Sequence, residues 1–355
     1  MSEKNISSIN SISPERRSKL LRGIDLKGVQ GIEIGALCRP IVRKAEGDVI
    51  YVDHADTATL KRKYKHAVDV DINSIVEVDA VWGENSLYDA VGGRLVDYVI
   101  ASHVIEHVPD LITWLCELAS ILKLTGEVRL IIPDKRYTFD YMRQPTRLAD
   151  VMFSYLKQAR VPQAHSILDF ALNASKNDPW AEKNGSKNVE NQDMHYTWQQ
   201  AMGLAMDAEV NRHYHDIHCW AFTPQSFALL MERVTSMGLI DFACESYCST
   251  AVNDVEFFVT LRRSGSPEYI RQSWMDMQDS IPDSNCQYME WSSKREFGIA
   301  DDLDPVGIMK NFRAFDAQAY LTANPDIEAA GVDPFIHYLL YGREEGRVLS
   351  IGGKV

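Results

Sequence analysis

The stretch that decides the fold is Val96-Asp-Tyr-Val-Ile-Ala-Ser-His-Val-Ile-Glu-His-Val108, an apolar run of strand length that leads into polar residues. Pro109-Asp110 punctuates the chain after it, and the apolar-rich stretch 111–124 predicts a helix that stops at Thr125-Gly126. Residues 127–132 then predict a second buried strand. Strand, loop, helix and strand in this order indicate a parallel sheet whose carboxyl ends carry the chemistry.

Composition indicates a soluble, globular protein rather than a disordered or membrane-spanning one. The 355 residues are 45% hydrophobic and 10% aromatic, and the net charge of −13 argues against broad attraction to nucleic acid or anionic lipid. The first dozen residues lack an apolar core, which predicts no secretory signal, and the helix candidate 111–124 is too short for a membrane span. Six cysteines without a Cys-x-x-Cys pair indicate reduced thiols, so we expect a cytoplasmic protein.

Two earlier strands are predicted, and both end in residues suited to a ligand. Residues 29–34 lead into Glu33-Ile-Gly35, where a glycine lets the backbone turn sharply beside the N-terminus of the next helix. Residues 48–53 end at Asp53, which is placed to accept hydrogen bonds from ribose hydroxyls. The competing interpretation is that Asp53 caps the following turn.

The glycine pattern after the first strand distinguishes between nucleoside ligands. A dinucleotide fold usually carries Gly-x-Gly-x-x-Gly, because a pyrophosphate needs close backbone approach at two points. Here Leu37 and Pro40 stand at the second and third positions. A ligand with a ribose but no phosphate fits better, which favours S-adenosylmethionine over NAD.

Six segments between residues 24 and 263 carry a family resemblance. They are Gly31–Gly35, Asp97–His107, Leu122–Gly126, Pro133–Asp140, His218–Pro224 and Val255–Leu261. In them the chain resembles the class I S-adenosylmethionine-dependent methyltransferases, and more closely the bacterial methyltransferase domains found with polysaccharide-biosynthesis glycosyltransferases. The resemblance implies a Rossmann-like, doubly wound and mainly parallel sheet.

The resemblance also implies which residues hold the cofactor. Glu33 and Gly35 would shape the loop around its methionine part, and Asp53 would hold the ribose. Ser102 and His103 would sit beside the sulfonium.

The chain departs from the family it resembles at the expected adenine site, where members of that family commonly have an acidic residue near the adenine amine. Three candidates remain: Trp82 by stacking, and Asp79 or Glu84 by accepting a hydrogen bond from the amine.

Methyl transfer to a hydroxyl needs alignment of the reacting atoms and removal of the hydroxyl proton. The candidate bases, at or after predicted strand ends, are His103, His107, Asp134 and His218, and a structural hydrogen-bonding role is the alternative for each. Glu106 is a candidate for orienting one of these histidines.

The segment His213-Tyr-His-Asp-Ile-His218 invites a metal interpretation, because three histidines and Asp216 fall within six residues. The spacing matches no recognised zinc pattern, and alternation would send the rings to different faces. We therefore assign no metal site from the sequence.

The predicted domain organisation has four parts. They are an N-terminal helical extension at 1–23, a methyltransferase domain at 24–265 with a helical insertion at 139–212 as a possible acceptor lid, a linker at 266–305, and an all-α module at 306–355. The module resembles one that recurs in bacterial glycosyltransferases, through Asn324-Pro-Asp-Ile327 and His337-Tyr-Leu-Leu-Tyr-Gly-Arg-Glu-Glu-Gly-Arg347.

The function predicted from these observations is methylation of a sugar hydroxyl or glycan end during assembly of a bacterial surface polysaccharide, with S-adenosylmethionine as cofactor. A glycan or sugar-nucleotide acceptor and glycosyltransferases are the expected partners. The alternatives are a non-catalytic, cofactor-binding scaffold and, with less support from the glycine pattern, an NAD-dependent oxidoreductase.

Overall fold

The computed structural model describes residues 12–67, 70–83, 85–176, 194–251, 254–280, 315–330, 334–342 and 345–348. The chain divides into a larger unit, formed by 1–235 and 240–283, and a smaller unit, formed by 236–239 and 284–355. Glu84, the polar stretch 177–193 and the part of the predicted linker after residue 280 lie outside the described residues.

Seven strands form the sheet of the larger unit, in the order β3-β2-β1-β4-β5-β7-β6. They are β1 Gln30–Ile34, β2 Asp48–Asp53, β3 Ala80–Val81, β4 Val96–Ser102, β5 Leu122–Pro133, β6 Phe242–Cys248 and β7 Glu256–Arg263. Strands β1 to β5 pair in parallel, whereas β7 is antiparallel to both β5 and β6. The predicted Rossmann-like, mainly parallel sheet is confirmed, and the antiparallel hairpin at its edge is typical of the class I methyltransferase fold.

Nine helices accompany this sheet within the described residues. They are α1 Pro14–Leu20, α2 Thr57–Lys63, α3 Leu87–Ala90, α4 Leu111–Ser120, α5 Leu148–Leu156, α6 Ala164–Asn173, α7 Trp198–Asn211, α8 Pro224–Ser236 and α9 Pro267–Ser280. Two 3-10 turns, Ile105–His107 and Lys135–Tyr137, follow the carboxyl ends of β4 and β5. Among the described residues, no helix has the length and apolar character that crossing a membrane requires.

Helix α8 begins as its sequence predicts. Thr223 Oγ1 accepts from the backbone N–H of Ser226 at 3.0 Å, and Ser226 Oγ accepts from the N–H of Thr223 at 2.9 Å. Pro224 takes the first helical position, where its missing N–H costs nothing. The start of this helix is therefore determined by its local sequence.

The boundary between α4 and β5 differs from the sequence prediction. The helix ends at Ser120, and β5 already begins at Leu122, so Thr125 and Gly126 lie inside a strand. The pairing of Leu122 with Val96 starts the strand early. One continuous apolar run serves two elements here, and its periodicity alone does not show where the helix gives way to the strand.

The smaller unit is all-α in its described residues. Helices α10 Ala317–Ala323, α11 Pro325–Ala330 and α12 Pro334–His337 lead into a π-helical turn, Tyr338–Gly342. Buried Tyr320 contacts His337, with the tyrosine hydroxyl 3.0 Å from Nδ1. The Nδ2 amide of Asn324 donates to the carbonyl of Val348 at 2.9 Å. These helices fall within 306–355, the range for which the sequence predicts an all-α module.

One close approach in the centre of the sheet requires a glycine. Gly31 of β1 pairs with Tyr98 of β4, and the tyrosine ring lies over the glycine Cα. A Cβ atom at Gly31 would come within 2.0 Å of the ring carbon Cζ, far inside van der Waals contact. Both residues belong to strands that pair on two sides, so neither backbone can retreat.

We predict that Gly31→Ala destabilises the larger unit by about 3 kcal/mol or more, because an added methyl group overpacks a buried contact. The measurement is denaturant unfolding of both variants. Gly203→Ala is the matched control, since nothing lies within 4 Å of its added Cβ in α7. Removing a helical glycine should raise stability there by about 0.5–1 kcal/mol. Equal effects at the two positions would contradict the prediction.

Candidate functional site

The candidate site lies where the strand order of the sheet reverses. Strand β1 pairs with β2 on one side and β4 on the other, both in parallel, so the loops leaving β1 and β4 diverge. A crevice at the carboxyl ends of such strands is where open α/β sheets bind their ligands. Gly35, Asp53 and Ser102-His103 stand at the carboxyl ends of β1, β2 and β4. The topology therefore brings these predicted cofactor residues to one edge.

The loop after β1 departs from the sequence prediction. The stretch from Gly35 to Asp48, which is described throughout, contains turns and no helix. Gly35 has a φ of +70° and donates its N–H to the carbonyl of Val52 at 2.9 Å. Leu37 also takes a left-handed φ of +46°, in the position where a dinucleotide fold has glycine. The expected helix N-terminus is absent from this loop, so the backbone donors that hold a pyrophosphate are absent with it.

Glu33 anchors this loop from beneath. Its carboxylate is buried and accepts the backbone N–H of Ile41 at 2.7 Å and of Val42 at 3.0 Å. Burial raises the pKa of Glu33 to about 7, although the two backbone hydrogen bonds act in the opposite direction. The residue thus shapes the loop, while contact between the loop and a cofactor stays a prediction.

The three residues considered for the nucleoside end differ in what they contact. The Asp53 carboxylate accepts the N–H of His54 at 2.7 Å. Asp79 accepts the N–H of Tyr51 at 2.8 Å and pairs with Lys44, so β2 and the loop hold its carboxylate. Half-buried Trp82 follows β3, and its N–H donates to the carbonyl of Asp53 at 2.8 Å. Of the two adenine candidates described here, Trp82 stands beside Asp53.

Four polar residues form a cluster at the carboxyl end of β4: Arg16, Ser102, His103 and Glu256. The Nε2 atom of His103 lies 2.8 Å from Oε2 of Glu256, the first residue of β7. Arg16 of α1 donates to Glu256 Oε1 at 2.6 Å and to the Ser102 hydroxyl at 2.9 Å. Burial alone would raise the pKa of Glu256, but His103 and Arg16 outweigh it and hold that pKa below its ordinary value.

Sequence reasoning did not find Arg16 or Glu256 as site residues. Arg16 lies in a helix interpreted as structural, and Glu256 opens an otherwise apolar strand. A lone carboxylate at the start of a buried strand is the one sequence signal that could have revealed this cluster.

A second group of acidic and histidine side chains adjoins the first. The Nδ1 atom of His218 hydrogen-bonds to Oδ2 of Asp140, and Asp140 Oδ1 pairs with Arg143 at 2.9 Å. The Nδ1 atom of His107 lies 3.0 Å from Oδ1 of Asp216. Burial opposes the ionised form of Asp140, but His218 and Arg143 outweigh it and lower its pKa.

Two aromatic side chains of the insertion pack against His218. Its ring centroid lies 4.7 Å from that of Phe139 and 5.9 Å from that of Phe170 in α6. Asp169 of α6 also accepts from Arg143 at 2.8 Å. The insertion therefore forms one wall of the candidate site, and its role as an acceptor lid stays a prediction.

Asp134, a predicted base, occupies a closed environment. Its carboxylate is fully buried and accepts from the N–H and guanidinium of Arg136 and from the Thr250 hydroxyl at 2.7 Å. These contacts favour an anchoring role for Asp134 over proton transfer. His103, His107 and His218 are the predicted bases that the structure gathers around the end of β4.

The segment 213–218 sends its side chains to several partners. His213 and His215 both approach Asp207, at 3.1 and 2.8 Å. Asp216 instead lies between His107 and Lys63, while His218 contacts Asp140. The four residues considered as one metal cluster therefore do not converge.

Comparisons with known proteins give distant structural similarity only. A scan against protein-family models found no match, and no curated protein matches the sequence. The CcbJ methyltransferase from Streptomyces caelestis is 11% identical, with a TM-score of 0.37, over 71% of this chain and 97% of its own. Magnesium protoporphyrin IX methyltransferase from Synechocystis, solved with bound SAM, is 10% identical, with a TM-score of 0.31, over 73% and 80%.

A structure from Rhodobacter sphaeroides named for Zn-dependent alcohol dehydrogenases is 12% identical, with a TM-score of 0.39, over 74% of this chain and 94% of its own. At such TM-scores none of these similarities carries an argument about the reaction.

The raised pKa of Glu33 predicts a pH-dependent role in stability. A Glu33→Gln variant keeps one acceptor oxygen but points an amide N–H₂ at a backbone donor, so it should cost about 1–3 kcal/mol. Protonated Glu33 retains two acceptor oxygens. A folded-state pKa of about 7 against an ordinary 4.5 means that the group stabilises the fold below about 4.5 and loses this contribution as the pH rises through 7.

The cost of Glu33→Gln should therefore be larger at about pH 5 than at about pH 8, as measured by urea unfolding. The other carboxylates titrate in both proteins and cancel in the difference. An equal cost at both pH values, or a larger one at about pH 8, would show that burial does not raise this pKa.

Proposed function

We propose that the chain is an S-adenosylmethionine-dependent methyltransferase that methylates a hydroxyl group of a sugar or glycan end. The supporting observation is the set of Gly35, Asp53, Ser102 and His103 at the reversal point of the sheet, beside a loop with no helix to receive a phosphate. A nucleoside with a ribose and no pyrophosphate suits that combination. The same observation disfavours a nicotinamide dinucleotide.

Four residues would hold the cofactor. Asp53 would accept hydrogen bonds from the ribose hydroxyls, and Trp82, next to it, would stack on the adenine. The turn at Gly35 would follow the methionine part. Ser102, held by the Arg16 guanidinium, borders the crevice on the β4 side.

When bound, this cofactor supplies an electrophilic methyl group, and the transfer is an in-line displacement in which alignment contributes much of the rate. The remaining task for the protein is removal of the acceptor proton. We assign it to His103. Glu256 holds Nε2, which leaves Nδ1 as the proton acceptor, and the His103 side chain is 35% exposed against 10% for His218.

The choice of acceptor rests on the C-terminal module and the sequence motifs. The module resembles one in bacterial glycosyltransferases, which supports a sugar or sugar-nucleotide acceptor and a glycosyltransferase partner in surface-polysaccharide assembly. The reduced cysteines support action in the cytoplasm.

Binding of the cofactor provides the first test. We expect micromolar binding of S-adenosylmethionine and S-adenosylhomocysteine by calorimetry, and none of NAD or NADH. Asp53→Asn should weaken binding at least tenfold, because a hydrogen bond to a charged group contributes about 1.5–3 kcal/mol. Asp79→Asn is the matched control and should change affinity less than twofold. Tight binding of NADH, or equal losses in the two variants, would refute the placement.

Turnover provides the second test, read as S-adenosylhomocysteine release from a panel of sugar nucleotides and oligosaccharides. The probe is His103→Asn, because asparagine tolerates the left-handed φ of +53° at this position. Its turnover should fall about 10²–10⁴-fold with cofactor affinity unchanged. The exposed-site variant His213→Asn should keep wild-type activity. Cofactor binding without release from any acceptor would favour a non-catalytic scaffold.

A further inference from the structure

Glu106 is a buried carboxylate with no hydrogen-bond partner among the described residues. It sits in the 3-10 turn directly after β4, is 0% exposed, and neither of its carboxylate oxygens has a donor. The nearest side-chain nitrogens are His103 Nδ1 at 3.5 Å and His107 Nε2 at 3.9 Å from Oε1, and both are ion-pair contacts without a hydrogen bond. A buried carboxylate is strongly destabilising unless a cation or donors compensate it.

Backbone hydrogen bonds bring a second segment against this carboxylate. The carbonyl of Glu106 accepts the N–H of Cys219 at 2.7 Å and of Trp220 at 3.2 Å. This pairing holds His218 beside Glu106 although the two are distant in sequence. Candidate ligand atoms of Glu106, His107 and His218 lie within 4.8 Å of one another, and the two imidazole rings meet edge to face.

Each imidazole has an outer carboxylate at the same ring nitrogen. Asp140 hydrogen-bonds to Nδ1 of His218, whereas Asp216 lies 3.0 Å from Nδ1 of His107 in an ion-pair contact that does not have hydrogen-bond geometry. In both rings Nε2 is then the nitrogen left to bind a ligand. Metal-binding histidines almost always carry such a partner on the other nitrogen, where it fixes the tautomer and raises basicity.

We propose that Glu106, His107 and His218 bind one divalent transition-metal ion, with Asp140 and Asp216 as the outer carboxylates. Two imidazole nitrogens and one carboxylate oxygen form the ligand set of many catalytic zinc sites and leave coordination positions open. A site built on two imidazoles selects a zinc-like ion over Mg²⁺, which prefers oxygen ligands.

The charges around the site also favour a cation. Arg143 pairs with Asp140, and Lys63 donates to Asp216 at 2.9 Å, so both outer carboxylates have their own cations. The carboxylate of Glu106 has no such partner at hydrogen-bond distance. Ligand atoms bound at about 2.0–2.2 Å lie roughly 3.5 Å apart, so binding draws the three side chains together by up to about 1 Å.

The position of the ion gives it a chemical task, and this step rests on the proposed function. Since His103 Nδ1 lies 3.5 Å from Glu106, an oxygen ligand at an open position would stand near the proposed base. A metal-bound hydroxyl has a lowered pKa, so the ion would bind the acceptor hydroxyl and ease its deprotonation. Binding of the ion itself does not require the methyltransferase assignment.

The test begins with the full-length protein after chelator treatment and dialysis. Calorimetry with Zn²⁺ and Co²⁺ should give one equivalent bound, and saturation should raise the Tm by about 5 °C. Bound Co²⁺ should show visible absorption bands, and Mg²⁺ should change neither readout. Less than a tenth of an equivalent of Zn²⁺ and Co²⁺ would overturn the proposal.

Variants locate the bound ion. Glu106→Gln keeps the side-chain shape and removes the charge, so we expect the metal-free Tm to be no lower than that of wild type and Zn²⁺ affinity to fall at least 100-fold. His218→Ala should also abolish one-equivalent binding. His213→Ala is the control for adventitious binding by histidines near Asp207, and it should keep wild-type affinity. If His213→Ala lost Zn²⁺ binding while Glu106→Gln kept it in full, the assignment of Glu106, His107 and His218 as ligands would be overturned.

Calorimetry with S-adenosylmethionine on the same samples separates the two proposals. Zinc binding without cofactor binding would leave the metal site standing and remove the methyltransferase assignment. Cofactor binding without zinc binding would do the reverse.

Discussion

The parallel pairing of β1 with both β2 and β4 is the constraint on which the rest of the structure depends. Because the loops leave these three strands at the same edge, Gly35, Asp53 and Ser102 come together although they are far apart in the sequence. The close contact of Gly31 with Tyr98 fixes the register of the central pair. A slip by one residue would turn Glu33 from its buried position beneath the loop to the other face of the sheet.

Around this edge, the buried carboxylates are stabilised in two different ways. Glu33 relies on backbone N–H groups alone, and burial therefore dominates its pKa. Asp140 and Glu256 have arginine and histidine partners, which keep them ionised despite burial. Among the described residues, the carboxylate of Glu106 receives no hydrogen bond, and its only ion-pair contacts are with His103 at 3.5 Å and His107 at 3.9 Å. The difference separates the residues that build the edge from the residue on which the proposed metal site depends.

Sequence patterns predicted the fold well because apolar strands ending in Gly, Asp, Ser or His are local features. The strand ends at Gly35, Asp53 and His103 could be read from runs of a few residues. The missing helix after β1 could not, since turns of mixed polarity have no periodicity to contradict a helix expectation. The burial of Glu106 could not be predicted either, because a charged residue in a polar loop is ordinarily exposed.

The site's long-range pairs were beyond sequence reasoning for a different reason. His218 hydrogen-bonds to Asp140, which lies 78 positions away in the sequence. Neither sequence motif indicates the other as its partner. The grouping of Glu106, His107 and His218 was not visible in the sequence for the same reason. The metal interpretation of the sequence compared neighbours within 213–218, whereas the side chains that converge come from two segments joined by the backbone contacts of Glu106.

The bond between Arg16 and Glu256 joins residues 240 positions apart and so sets an order of events during synthesis. Helix α1 leaves the ribosome first, but the Arg16 guanidinium cannot pair with Glu256 until β7 has emerged. At about 5–20 residues per second, this delay is on the order of tens of seconds. Throughout it, Ser102 and His103 stay without their full set of neighbours. The cluster at the end of β4 is thus completed only when the last strand of the sheet has been made.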